Sequence, residues 1–136
     1  LRQPWAFAVA RLGKRIENRR WYAMDMIGQP LAIHAGKTLD DEACVWLHEQ
    51  GFEVWDEADL PSAIVAVATV AGFVKDEARI PEEQRVWWCG PYGWVLRNVR
   101  ALRDPVPCRG NRGLWDVPAD VLARVMAQLP EETAKL

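Results

Sequence analysis

One serine, two histidines and three cysteines are all that the 136 residues hold of the usual nucleophiles and soft metal ligands. Ser62 opens an apolar segment with no nucleophile-elbow pattern around it, which argues against a Ser/His/Asp hydrolase. Cys44 and His48 stand four apart, as metal ligands on one helix face do, and Cys89, Cys108 and His34 could complete a set. No Cys-x-x-Cys or His-x-x-x-His supports that set, so no metal and no cofactor is expected. The three cysteines are irregularly spaced and make no disulfide framework, which points to a reducing, cytoplasmic setting. No basic-then-apolar leader is visible, so no secretory signal is expected. The longest apolar run, 63–74, is interrupted by Thr69 and Gly72 and is too short to span a bilayer. Gly110-Asn111-Arg112-Gly113 lacks the lysine and the following helix of a phosphate loop. Repeats, low-complexity tracts and linkers are absent too, and the length suits a single domain over 1–136.

Tryptophan is in excess instead: eight in a chain of this size, rings that either fill a core or stack on flat ligands. Charge is segregated beneath a net value of -2. Residues 1–39 carry seven Lys/Arg against two Asp/Glu, and 84–113 carry six against one. Between them, 40–83 carries two against twelve. If the fold joins the two basic segments, they form a positive face fit for a phosphate backbone, with the acidic segment elsewhere. Composition alone fits equally well with charges that merely solvate unrelated faces.

Pro4 to Leu12 reads as a short buried helix with proline in its first turn. Alternation predicts strands over 14–22, 31–34, 62–74, 94–102 and 114–117, with edge segments near 85–89 and 105–108. Thr38 to Glu42 carries cap residues and first-turn acids, which predicts a helix over 40–50. A further helix is predicted over 118–129, a polar loop over 76–84 and an acidic connection over 52–61. About five strands with marginal helices suggest an α+β fold, a small mixed β-barrel with flanking helices.

The segment Lys14-Arg15-Ile16-Glu17-Asn18-Arg19 concentrates charge on one strand. Glu17 and Arg19 share a face and offer a carboxylate for base edges beside a guanidinium for phosphate. An ordinary surface ion pair is the plainer account of the same residues. Trp21, just beyond, is the best placed ring for stacking on a base, whereas Trp5, Trp46 and Trp94 sit in apolar contexts suited to packing. Of Trp87 and Trp88, only one can face the core if they lie in a strand.

Gln3-Pro4-Trp5-Ala6, Lys14-x-x-Glu17-x-Arg19 and Trp21 together resemble the opening of the ASCH (activating signal cointegrator homology) family. Ile33-His34-Ala35-Gly36-Lys37, Gly90-Pro91-Tyr92-Gly93-Trp94, Pro107-Cys108-Arg109-Gly110 and Gly113-Leu114-Trp115 are similar to its prokaryotic branch. Leu12 stands where the family pattern has glycine, and Gly13 follows it. The resemblance implies a PUA-like β-barrel whose cleft is bordered by Lys14, Glu17 and Arg19. RNA, single-stranded nucleic acid or a nucleotide is the implied ligand.

On this reading Lys14, Arg19 and Lys37 hold phosphate, Glu17 accepts from a base, Trp21 stacks, and Arg109 borders the site. An enzyme is the alternative. Some relatives resemble amidohydrolases of acylated cytidine that use a Lys and a Thr on this strand, but Glu17 occupies the place of that Thr. Other relatives are ribonucleases, for which Lys14 and Glu17 would be the acid–base pair. A third reading is a protein partner docking on the acidic segment 40–83. Lys14 and Glu17, three apart, face opposite ways on a regular strand. A turn or bulge near Gly13 and Lys14 is therefore expected, bringing the pair together for binding rather than proton transfer.

Overall fold

The computed structural model describes residues 1–53 and 62–129. Helix α1 (Trp5–Arg11) opens the fold and buries Ala6, Phe7, Ala8 and Val9. Its first turn is capped by Gln3, whose Oε1 accepts the Phe7 N–H at 3.0 Å. Strand β1 (Ile16–Arg19) follows, then β2 (Pro30–Ala35), helix α2 (Asp41–Glu49) and β3 (Ala63–Val74). Asp40 caps α2 by accepting the Ala43 N–H at 3.0 Å, the role its position before Asp41-Glu42 predicts. Strand β4 (Tyr92–Pro107) and helix α3 (Ala119–Met126) complete the order.

The strands form one antiparallel sheet in the order β1-β4-β3-β2, curled into a half-barrel. The curl comes from register slips. Between the pairs Val67↔Arg100 and Thr69↔Arg97, β4 holds one residue more than β3, and Asn98 adopts φ 50 there. Asn tolerates that left-handed conformation better than most side chains, and such an insertion bends and twists the strand. β3 lies between β2 and β4 and is buried on both faces through its first half, which is why it reads as continuous Val, Ala and Ile. One face packs on α1 through Ala6, Val9, Ile33, Val65 and Leu96. Beyond it, α3 seats Val121 and Val125 on Ile64, Leu102 and Val106. Leu47 of α2 joins Ala8, Ile16, Ile80 and Trp87 in a third cluster.

Several sequence expectations need correction. The sheet has four strands rather than five, because 114–117 is not a strand: Trp115 lies edge-on to His34, ring centroids 5.5 Å apart. The segment 85–89 is no strand edge either, since Glu82–Trp87 winds as a 3-10 helix that buries Trp87. β1 is shorter than 14–22, because Gly13 turns at φ 78 and leaves Lys14 and Arg15 ahead of the strand. The stretches 94–102 and 105–108 belong mostly to one long strand carried through its bulges. Part of the acidic connection 52–61, residues 54–61, lies outside the described residues.

Candidate functional site

The turn at Gly13 decides the geometry of the site. Lys14 comes off that turn with only 2% of its surface exposed. Its ammonium donates to the Ile16 carbonyl and, at 3.0 Å, to Glu17 Oε1. Glu17 Oε2 receives Arg19 Nη2 at 3.0 Å, so one carboxylate joins a buried cation to a half-exposed one. Alternation within β1 puts Glu17 and Arg19 on one face, and the turn brings Lys14 to the same carboxylate. The expected irregularity near Gly13 is therefore present.

Two amide side chains, one on β1 and one on the 3-10 segment, hold this arrangement. Gln84 accepts the Arg15 N–H at 2.8 Å and donates to the Gly13 carbonyl at 3.0 Å. Asn18 donates to the Trp87 carbonyl at 2.8 Å and accepts the N–H groups of Cys89 and Gly90, each at 3.0 Å. Arg15 turns away, giving its guanidinium to the Val9 and Lys14 carbonyls, and burial lowers its pKa.

Lys14, Glu17, Arg19, Trp21, Lys37 and Arg109 all border one open cleft of about 1430 Å³. Lys37 stands between β2 and α2, and Arg109 just past the end of β4. Arg2 and Arg112, which the sequence reading did not single out, add cations to the rim. Both basic segments thus reach one cleft, but not with all their charge. Arg97 is exposed on β4 opposite Thr69, and Arg15 is spent on backbone carbonyls. The acidic segment is not wholly elsewhere either: Asp40 and Glu42 border the same cleft. Asp40 is there because the start of α2 needs its cap.

Seven tryptophans stand in the apolar wall. Trp5, Trp21, Trp46, Trp87, Trp88, Trp94 and Trp115 all line the cleft. Trp46 packs between Trp5 and Trp87, at 6.1 and 6.0 Å between ring centroids, and the Lys14 ammonium lies 6.0 Å from the Trp5 ring. Trp94 is buried, opposite Glu17 in the β1–β4 register, and its indole N–H donates to the Trp21 carbonyl at 3.0 Å. Trp21 stands edge-on to Trp94 with centroids 5.1 Å apart and is 40% exposed. It is the open ring at this end of the cleft.

At the far end, His34 Nε2 lies 2.7 Å from the Cys108 carbonyl, and Ser62 Oγ donates to the same oxygen at 2.8 Å. A carbonyl only accepts, so Nε2 carries the proton and has no lone pair to offer Ser62, 3.1 Å away. The two therefore clamp the end of β4 rather than form a nucleophile and its base. Burial is the main cause that lowers the His34 pKa, and the bond to Cys108 opposes it. Cys44, Cys89 and Cys108 form no disulfide, and His48 is exposed on α2. Among the described residues no three His, Cys, Asp or Glu side chains gather as a metal would require. Among them, too, no helix is long and apolar enough to cross a membrane.

Sequence reasoning missed Asn18, Gln84 and the His34–Ser62 clamp. Their partners are backbone groups far away in the chain, which residue type and spacing do not reveal. Trp115 carried a signal, as part of Gly113-Leu114-Trp115, but was placed in a strand. No family model matches the chain, and no curated protein matches it.

Proposed function

We propose that the protein is an ASCH-type, PUA-like domain that binds RNA, or another single-stranded nucleic acid, through its nucleotide units in the tryptophan-lined cleft. The observation that carries this reading is the ion-paired row Lys14–Glu17–Arg19 beside the exposed Trp21 ring. A single-stranded ligand needs a stacking surface and cations along its backbone, and this cleft offers both. Arg19, Lys37 and Arg109 serve the phosphates. Lys14 contributes mainly by fixing Glu17, since two of its three donors are engaged within the chain.

Binding ranks above catalysis for a reason of bonding. The Lys14 ammonium is buried and engaged by both Glu17 and the Ile16 carbonyl, an arrangement suited to positioning the carboxylate rather than to passing protons. Three cysteines outside any disulfide suit a reducing cytoplasm, where we place the protein. The test is titration of a fluorescent single-stranded RNA at several salt concentrations. Affinity that falls linearly on a log–log plot supports the reading, because phosphate contacts release counterions. Salt-insensitive binding, or none, refutes it. Turnover of RNA or an acylated cytidine by the wild-type chain, abolished by Lys14→Ala with folding intact, favours the enzyme instead.

A further inference from the structure

A carboxylate presents about four lone-pair sites on its two oxygens and, when ionised, donates nothing. In Glu17 one site on Oε1 is taken by Lys14 and one on Oε2 by Arg19. One site per oxygen remains on a group that borders the cleft. What Glu17 still offers a ligand is an acceptor on each oxygen and no donor.

Trp94 places that carboxylate relative to the stacking ring. It sits opposite Glu17 in register, where cross-strand Cβ atoms lie about 4.5–5.5 Å apart, and it also carries Trp21 edge-on. Glu17 and Trp21 therefore flank the same indole. Arg19, two residues along on the same face of the strand, stands beside Glu17 for an adjoining phosphate.

We infer that this end of the cleft selects guanine. The inference rests on the nucleotide reading above and narrows it to one base. Guanine alone among the four bases has two adjacent donors, N1–H and the N2 amino group, on its pairing edge. Adenine and cytosine set one donor beside a ring acceptor, so one Glu17 oxygen would meet a lone pair. Uracil sets one donor between two carbonyls and fits worst. Glu17 and guanine pair through two parallel, charge-assisted bonds.

The test uses the wild-type chain and five pentaribonucleotides, UUGUU, UUAUU, UUCUU, UUUUU and UUIUU, where I is inosine, a guanosine without the N2 amino group. The dissociation constant of each is measured by calorimetry at one low salt concentration. UUGUU should bind at least about tenfold tighter than UUUUU, the discrimination a good bidentate contact provides, with UUIUU between them. Equal, salt-dependent affinity for all five overturns the guanine assignment and leaves the nucleotide reading standing. Equal affinity for UUGUU and UUIUU overturns the two-donor contact. Failure to bind any of them removes the nucleotide reading and this inference with it. Glu17→Gln, checked for folding by near-ultraviolet dichroism, offers one acceptor and one donor and should bring UUGUU level with UUAUU or UUCUU. A guanine preference that survives this change overturns the role of Glu17.

Discussion

Gln84 brackets Lys14, its amide oxygen taking the Arg15 N–H on one side and its amide nitrogen reaching the Gly13 carbonyl on the other. A lysine buried at a turn is held there by a residue 70 positions away, so the site depends on the 3-10 segment Glu82–Trp87. Gln84→Ala should cost about 1–3 kcal/mol for two lost bonds, one of them partly buried. Gln84→Glu keeps the acceptor and loses the donor, so it should fall between. Urea unfolding midpoints at unchanged m-value give the comparison, and no loss in either variant would show that the bracket is idle.

The two ends of the Lys14–Glu17 pair are not equivalent. Removing the carboxylate with Glu17→Gln leaves an ammonium in the interior with the Ile16 carbonyl as its main partner. Removing the ammonium with Lys14→Met leaves a carboxylate that still has Arg19 and some solvent. The first change should be the more costly, by about 2 kcal/mol, the spread of the roughly 3–5 kcal/mol found when buried pairs are broken. The double substitution should recover part of the loss. Denaturant unfolding of the three variants decides it, and equal costs would count against this asymmetry.

His34 gives the fold a pH dependence of definite sign. Its native pKa lies below the unfolded value of about 6.5, so the unfolded chain takes up more protons as the pH falls past that point. Stability should be complete above pH about 6.5 and decline as the pH falls toward the native pKa. Melting temperatures between pH 7.5 and 5 show this, and His34→Gln, which can still donate to Cys108, should flatten the curve. A wild-type profile that is flat over this range, or rises toward acid, contradicts it.

Arg109 and Trp21 should separate phosphate contact from stacking. Arg109→Ala should reduce the slope of log affinity against log salt by about 0.7, the value for one single-strand phosphate contact. Trp21→Ala should leave that slope alone and cost about 1–3 kcal/mol of binding. Titrations of both variants at three salt concentrations test the division, which fails if the two effects are interchanged.

The central strand, α1 and α2 were legible in the sequence because each has a local cause. β3 is a run of Val, Ala and Ile since both its faces are covered, and α2 announces its start with Asp40 and the acids that follow. The limits of β1 were not legible. Lys14 and Arg15 continue the alternation of Ile16 to Arg19 in residue type, yet a glycine in the left-handed region turns the chain so that the paired register starts at Ile16, with only the Arg15 carbonyl still accepting from β4. Leu114, Trp115 and Val117 mimic a strand for another reason: Trp115 covers His34, and Val117 packs against the α3 cluster. Of the site, the charged row and the exposed Trp21 were visible as a pattern. Their supports were not, because a glutamine or asparagine gives no sign of which distant carbonyl it will meet.

Gly110 stands where no side chain fits: a Cβ there would lie 2.5 Å from His34 Cε1 and 2.7 Å from Nδ1. Two residues earlier, the Cys108 carbonyl is held by both His34 and Ser62. Arg109 therefore springs from a backbone pinned on either side, although its side chain is exposed. Much of the ordering that an arginine on a loose loop must undergo when a ligand arrives is here completed during folding. An alanine at 110 would push the imidazole aside and return that freedom to the loop, turning a fixed cation into a wandering one without touching Arg109 itself.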